Sequence, residues 1–152
     1  MNNEKFVRRA YEIAEVKDIP GWIACFNADG MFVDESVGVT YRGPDEVAKP
    51  VQNYGGAFSD MHRELYDVYV TGDVVIVELA LQGTHDGPLW LPQGTLPPTG
   101  NRMDAPCCDV FRLKDGRIQL FDCYPSGTAI LGQLGVLGNL GAVLEQPTVQ
   151  NV

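Results

Sequence analysis

The hydrophobic pattern of the chain changes its period once, near Glu64. Residues 1–16 carry an apolar side chain at every third or fourth position, which predicts an amphipathic helix. From Glu64 to about residue 124, apolar and polar side chains alternate instead, which predicts β-strands. Helices followed by consecutive strands favour an α+β fold in which a curved antiparallel sheet wraps around the helices.

Two further helices are predicted before the strands begin. Pro20 is well placed in the first turn of a short second helix, which ends near residues 27–30. Residues 31–37 resemble a strand. Gly43-Pro44-Asp45-Glu46 then opens a third helix, because proline and acidic side chains suit a first helical turn. Pro50 is expected to limit or kink that helix.

Four strands are predicted after Glu64, with a turn at Gly72-Asp73 between the first two. The last two strands cover residues 103–113 and 117–124. Between the two pairs, residues 86–101 form a Pro- and Gly-rich connection that still carries Leu89, Trp90 and Leu91. A connection of this length in a small domain is usually functional.

Composition excludes several classes of protein. The 152 residues suit one domain, predicted over residues 1–152 with a frayed tail over residues 136–152. With 11 basic and 20 acidic side chains, the net charge of −9 argues against nucleic acid and anionic membranes as partners. No apolar stretch has the roughly 20 residues that a membrane span needs. Acidic residues in the first 20 positions exclude a secretory signal, so we expect a cytoplasmic protein.

The turn between the last two strands predicts which side chains share a face. If Lys114-Asp115-Gly116 is a three-residue hairpin loop, paired residue numbers sum to 230. Asp109 then faces Phe121, and Cys107 faces Cys123, all on one face of the sheet. A two-residue loop would shift the sum to 231 and dissolve this grouping.

Several segments of the C-terminal half resemble one known family. They are Gly83-Thr-His85-Asp-Gly87, Pro97-Pro-Thr-Gly100, the hairpin Asp115-Gly116-Arg117-Ile118, Pro125 after an aromatic residue, and Gln133-Leu134-Gly135. In this order and spacing they resemble the SnoaL-like polyketide cyclases, of the superfamily that includes nuclear transport factor 2 and ketosteroid isomerase. The resemblance implies a cone-shaped α+β fold around a deep apolar pocket, usually assembled as a homodimer.

The resemblance to the cyclases is incomplete at the positions that carry their chemistry. Cys123 stands where the cyclases have an acid/base Asp, Asp109 stands where they have a pocket His, and Cys107 replaces a Gln. The catalytic constellation of the cyclases is therefore not preserved.

Ketosteroid isomerase offers a second similarity. Its Asp-x-Phe-Arg segment is similar to Asp109-Val-Phe-Arg112, and the strand that bears its base resembles Phe32-Val-Asp34, although a shifted alignment puts the base at Glu35. In that enzyme one Asp moves protons while a protonated Asp donates a hydrogen bond to the enolate. The position of its Tyr donor falls at Ala10, about 100° around a helix from Tyr11.

Three residues are candidates for catalysis: Asp109, Asp34 and His85. Asp109 would lie among apolar neighbours that raise its pKa, and Asp34 would take a proton. His85 continues an apolar strand face and could act as a general base. The alternatives are structural: Asp109 bonded to backbone or Arg112, Asp34 an ordinary acid near Arg42, and His85 a buried strand-end residue.

The remaining candidate residues would line the pocket. These substrate-binding candidates are Cys107, Cys123, Phe121, Phe111, Trp90, Tyr11 and Trp22. The spacing of the four cysteines matches no metal-binding or redox motif, and a nucleophilic thiol would need a nearby His or cation.

The sequence thus predicts an acid/base enzyme that acts on a hydrophobic carbonyl compound through an enolate, by polyketide cyclisation or ketosteroid-type isomerisation. It contains no nucleotide-binding or metal-binding motif, so neither a cofactor nor a metal is expected. The expected partners are a hydrophobic small molecule and a second copy of the chain. The alternative is a non-catalytic binding or assembly module of the same fold.

Overall fold

The computed structural model describes residues 2–144, and it begins with two helices. α1 covers Asn3–Glu15 and α2 covers Ile19–Ala24. Asn2 caps α1 by accepting a hydrogen bond from the Lys5 amide, and Asp18 caps α2 in the same way through the Gly21 amide. The buried face of α1 includes Tyr11, which therefore points into the fold.

The next elements differ from the sequence prediction. The strand β1 covers Phe26–Asp34, so it begins five residues earlier than predicted, and β2 covers Val39–Arg42. The helix α3 covers Lys49–Ala57 instead of starting at Gly43-Pro44. Pro50 lies in the first turn of α3, where its missing N–H has no intrahelical partner to lose. The expectation that Pro50 limits the helix was therefore wrong.

Six strands build the main sheet, in the order β2-β1-β8-β7-β4-β3. The remaining strands and helices are β3 (His62–Thr71), β4 (Val74–Thr84), β5 (Leu89–Leu91), β6 (Gly94–Leu96), β7 (Arg102–Lys114), β8 (Arg117–Pro125), α4 (Gly127–Gln133) and α5 (Gly138–Val143). The predicted antiparallel run of β3, β4, β7 and β8 is confirmed, while β1 joins β8 in parallel.

Two segments that we predicted to be irregular contain regular structure. The 86–101 connection includes the small hairpin β5–β6, and α5 lies within the predicted tail. The rest of that tail, residues 145–152, lies outside the described residues. None of the described helices is long and apolar enough to cross a membrane.

The hairpin between β7 and β8 has a different register from the predicted one. Asp115 and Gly116 have φ of 52° and 76°, as the two central residues of a two-residue loop require. A bulge between β7 residues Arg112 and Leu113 then shifts the pairing, so that Asp109 faces Cys123. Beyond the bulge, paired residue numbers again have an even sum, so Cys107, Asp109, Phe121 and Cys123 share one face of the sheet as predicted. The predicted register was wrong, and so was the expectation that a two-residue loop would separate these side chains.

The hydrophobic core lies between the inner face of the sheet and helices α1, α2 and α3. Aromatic rings form its centre: Phe32 stacks on Phe121 with centroids 4.4 Å apart, and Trp22 packs edge-on against Phe121 at 5.8 Å. These three rings also line a cavity that contains several polar side chains.

Candidate active site

Two buried carboxyl groups lie in one row across the centre of the sheet. Asp34 on β1 pairs with Cys123 on β8, and Cys123 pairs in turn with Asp109 on β7. Adjacent strands are about 4.8 Å apart, so the two acids are separated by roughly 10 Å at the backbone. The side chains of all three residues line the same cavity.

This inner cavity is small, with a volume of about 40 Å³. Its walls are mainly aromatic and aliphatic, and they come from α1, α2, α3 and five strands of the sheet. The polar side chains in the wall are Tyr11, Asp34, Tyr54, Arg63, Asp109 and Cys123. A carbonyl or carboxyl group fits into this volume, whereas a polyketide ring system does not.

Asp109 is only 2% exposed, and both of its oxygens are hydrogen-bonded. The Tyr11 hydroxyl donates to Oδ2 at 2.6 Å, and the Cys107 thiol donates to Oδ1 at 3.3 Å. Burial raises the pKa of Asp109, although the hydrogen bonds from Tyr11 and the two thiols and the charge of Arg63 partly offset the rise. Arg112 is not among its hydrogen-bond partners.

Tyr11 forms a donor pair with Asp109. Burial and the neighbouring carboxyl group raise the pKa of Tyr11 well above its ordinary value, so the phenol keeps its proton. When Asp109 is protonated, it can donate to Tyr11 across the same 2.6 Å contact. The hydroxyl proton of Tyr11 can then point to a molecule in the cavity. The ring of Tyr11 packs edge-on against Phe111, with ring centroids 5.6 Å apart.

Asp34 has a different environment, although it is also buried at 7% exposure. The backbone N–H and the hydroxyl of Ser36 both donate to Oδ1, at 3.0 and 2.6 Å. The other oxygen, Oδ2, accepts no side-chain hydrogen bond from the described residues. Burial raises the pKa of Asp34, and the hydrogen bonds from Ser36 and Val37 limit the rise. Arg42 makes no salt bridge with it.

Cys123 lies between the two acids in the strand row, with its Sγ 3.9 Å from the Sγ of Cys107. Contact with Cys107 and burial raise the pKa of Cys123 well above its ordinary value. Contact with Cys123 lowers the pKa of Cys107, but burial and Asp109 raise it, to about 11 in total. Both thiols are therefore protonated near neutral pH, which argues against a nucleophilic role.

The two thiols and Asp109 also present three potential metal ligands. One ligand atom from each of Cys107, Asp109 and Cys123 lies within 4.8 Å of the others. A soft cation such as Zn²⁺ prefers thiolates and would have to displace both thiol protons. The raised pKa values of both thiols oppose that displacement.

A second, outer cavity of about 150 Å³ adjoins the inner one, and Asp34 and Tyr54 line both. Trp90 and Leu131 line its apolar sides. Asn53 on α3 holds β5 in place: its amide donates to the Trp90 carbonyl at 3.0 Å and its carbonyl accepts from the Trp90 N–H at 2.8 Å. The outer cavity therefore reaches Asp34 but not Asp109.

Three of the predicted site residues line neither the inner nor the outer cavity, namely His85, Phe111 and Cys107. His85 is fully buried against Phe58, and its Nδ1 accepts the Thr99 N–H at 3.1 Å. It fastens the 86–101 connection to the end of β4. Phe111 is a fully buried core residue, and the Cys107 thiol donates a hydrogen bond to Asp109.

The other predicted site residues do reach a cavity. Tyr11, Trp22, Phe121, Cys123, Asp34 and Asp109 line the inner one, and Trp90 lines the outer one. The ketosteroid isomerase alignment, which put the donor at Ala10, is displaced by one residue, because Tyr11 and not Ala10 contacts Asp109.

Two polar residues of the cavity wall were not predicted from the sequence, Tyr54 and Arg63. Tyr54 follows Pro50 and Val51 at helical spacing, a pattern that becomes visible once α3 is known to start at Lys49. Arg63 precedes a bulge in β3, between Leu65 and Asp67, which reverses the alternation and hides its inward parity.

Solved structures with the same fold support this architecture. A proposed SnoaL-like polyketide cyclase from Jannaschia sp. CCS1 matches with a TM-score of 0.77 at 21% identity, covering 87% of this chain and 90% of its own. IdmH from Streptomyces antibioticus, a proposed polyketide cyclase, matches with 0.74 at 22% identity, covering 90% and 100%. AclR from Streptomyces galilaeus, a proposed hydroxylase, matches with 0.72 at 20% identity, covering 88% and 95%.

These identities show a common fold and leave the activity open, since two of the neighbours are proposed polyketide cyclases and the third is a proposed hydroxylase. No curated protein shows significant similarity to the chain. The model of the SnoaL-like domain family, however, matches residues 7–121, which include both acids, Tyr11 and the sheet that carries them. The chain therefore belongs to the SnoaL-like domain family.

Proposed function

We propose that the protein is a cofactor-independent acid/base enzyme that acts on a hydrophobic carbonyl compound through an enolate. The supporting observation is the pair of carboxyl groups, Asp34 and Asp109, which face one small cavity in unlike hydrogen-bonding environments. Pairs of acids with unlike environments divide the base and the donor roles between them. Cyclisation and isomerisation both begin with such an enolisation.

Asp34 is the base in this proposal. Its Oδ2 takes a proton from the carbon next to the substrate carbonyl, and the electron pair of the broken C–H bond moves to the carbonyl oxygen. Ser36 holds Oδ1, so that the carboxylate keeps its orientation while the proton moves. Because burial raises its pKa, the Asp34 carboxylate is a stronger base than an ordinary Asp carboxylate.

Tyr11 and Asp109 stabilise the enolate oxygen. The hydroxyl of Tyr11 donates to this oxygen, and neutral Asp109 donates to Tyr11. Such donors act strongly in a small apolar cavity from which most water is excluded. The proton on Asp34 then returns to a different carbon in an isomerisation. In a cyclisation the enolate carbon attacks a second carbonyl carbon, the electron pair of that C=O bond moves to its oxygen, and this oxygen takes the proton from Asp34.

The sizes of the two cavities define the substrate shape. The inner cavity of about 40 Å³ takes the reacting head group, and the outer cavity of about 150 Å³ takes the apolar remainder against Trp90 and Leu131. A substrate with a small polar end and a larger hydrophobic end satisfies both. The predicted hydrophobic substrate would therefore bind in one orientation, with its polar end in the inner cavity and its apolar end in the outer cavity.

Proton exchange in D₂O tests this function without knowledge of the natural substrate. Exchange at the α-carbon of small aryl ketones and 1,3-diketones is followed by NMR for the wild type and for Asp34→Asn. Loss of a general base lowers such rates by about 10²–10⁴-fold. Asp29→Asn is the matched control, because Asp29 is an exposed acid on the same strand.

The alternative function is a non-catalytic binding module of the same fold. The small volume of the inner cavity favours it, as does the Cys at position 123, where the cyclases that this chain resembles have an acid/base Asp. A wild type that binds these ketones but exchanges their protons no faster than Asp34→Asn would support the module. The homodimeric state and the cytoplasmic location stay predictions.

A further inference from the structure

Arg63 is a cationic side chain in the wall of an otherwise apolar and acidic cavity. It lies on β3, and its side chain is only 12% exposed. It lines both the inner cavity and an open groove between α1 and β3, which also contains Arg8 and Glu15. Arg63 is the only Lys or Arg among the described residues that line the inner cavity.

The guanidinium group of Arg63 has no hydrogen-bond acceptor within the described part of the chain. A guanidinium carries five N–H donors, and buried charges are normally paired because desolvation is costly. The one carboxylate oxygen within 4.0 Å is Oε1 of Glu15, at 3.7 Å from Nη1, which is too long for a hydrogen bond. The group is thus largely but not fully removed from solvent, and its N–H donors make no hydrogen bond to the described residues.

The nearby acids are occupied by other donors. Glu15 accepts the backbone N–H of Arg63 at 3.2 Å through Oε1 and contacts His62 through Oε2. Both oxygens of Asp109 accept from Tyr11 and Cys107. Arg63 therefore lines the cavity with one long ion pair to Glu15 and no hydrogen-bond acceptor among the described residues.

We propose that Arg63 binds an anionic oxygen group of the substrate, and that this group is a carboxylate on an oxo acid. The inference rests on the proposed function and narrows its substrate class. A planar guanidinium fork matches the two oxygens of a carboxylate. The ketone oxygen of the same molecule then lies at Tyr11, which borders Arg63 in both the cavity and the groove.

An enolate oxygen formed during the reaction is the other possible source of the anion. The two sources differ in the ground state, because only a carboxylate is charged before the proton moves. Binding of unreactive probes therefore separates them. Phenylacetate and phenylacetamide have almost the same shape and differ in charge, and 4-nitrophenolate presents a single enolate-like oxygen.

Titrations of these three probes, followed by the fluorescence of Trp22 and by NMR, test the assignment. The wild type is expected to bind phenylacetate at least about tenfold more tightly than phenylacetamide, and Arg63→Met to abolish this preference. Arg63→Lys keeps the charge without the fork, so an intermediate preference is expected, and it also serves if Arg63→Met does not fold. Arg8→Met is the matched control, because Arg8 lies in the same groove but is half exposed.

Equal binding of acid and amide by the wild type, or an unchanged preference in Arg63→Met, would overturn the proposal. Loss of 4-nitrophenolate binding alone would also overturn it and assign the charge to an enolate. Asp34→Asn separates this inference from the proposed function. It should keep the carboxylate preference while losing proton exchange, whereas exchange without any carboxylate preference leaves the base intact and removes the anion site.

Discussion

Asp109 on β7 and His85, which directly follows β4, are both buried residues with polar side chains, yet they lie in different surroundings. Asp109 faces a cavity and exchanges hydrogen bonds with Tyr11 and Cys107. His85 lies against Phe58 and holds Thr99, and its Nε2 has no partner among the described residues. The difference shows that burial and residue type alone do not separate a candidate catalytic group from a structural one, and that contact with a cavity is needed as well.

The largest change in stability is expected in the His85 region. His85→Ala removes a large buried ring and both contacts with Thr99, which costs roughly 2–4 kcal/mol of unfolding free energy. Urea denaturation measures this loss. Thr99→Val removes the hydroxyl and keeps the backbone N–H, so it should cost only about 1 kcal/mol. An unaltered stability in His85→Ala would show that the residue does not fasten the connection.

The Asp109 region should respond to pH, and its sign follows from the raised pKa. Below the ordinary pKa of Asp, near 3.9, the carboxyl is protonated in both states. As pH rises from there to the folded pKa, the unfolded state ionises first, so the wild type loses stability relative to Asp109→Asn. The loss is about 1.4 kcal/mol per unit of difference. Denaturation at stepped pH measures it, and a pH-independent gap contradicts the prediction.

A smaller effect is expected for Tyr11→Phe. The change removes one hydrogen bond and about 1 kcal/mol of stability, while the edge contact with Phe111 remains. Since the Tyr11 hydrogen bond lowers the pKa of Asp109, that pKa should rise further in the variant. NMR titration of the carboxyl carbon detects the shift. No shift would mean that the two groups are not coupled.

The smallest change is expected at the rim of the outer cavity. Asn53→Ala removes two exposed hydrogen bonds to the backbone of Trp90 and should cost about 0.5–1 kcal/mol. The rate of α-proton exchange in the substrate should change less than the affinity for the apolar end of the substrate. A variant that loses exchange but keeps binding would place Trp90 in the chemistry itself.

The fold was predictable from the sequence because long strands with regular alternation dominate it. The pairs β3–β4 and β7–β8 follow from that alternation and from the turns at Gly72-Asp73 and Asp115-Gly116. The start of α3 was not predictable, because Gly43-Pro44-Asp45-Glu46 has first-turn composition but forms turns. Local composition indicates that a segment can begin a helix, whereas tertiary packing decides where the helix begins.

The candidate site was predictable only where parity could be counted. Asp109, Phe121 and Cys123 share a face in any register with an even sum, so the bulge near Leu113 did not separate them. Arg63 was missed because a bulge in β3 reverses its parity, and His85 was included because its parity matched an apolar face. Parity gives the face of a strand and does not give the distance to a cavity.

The most direct test of the account is a carboxyl-carbon NMR titration of the ligand-free protein with Asp34 and Asp109 assigned. The proposed roles of Asp34 as base and Asp109 as donor depend on differences in burial and hydrogen bonding between the two carboxyl groups. We predict that both pKa values lie above the ordinary value of Asp, near 3.9, and differ from each other. If both acids titrate together near 3.9, the division into a base and a donor is contradicted.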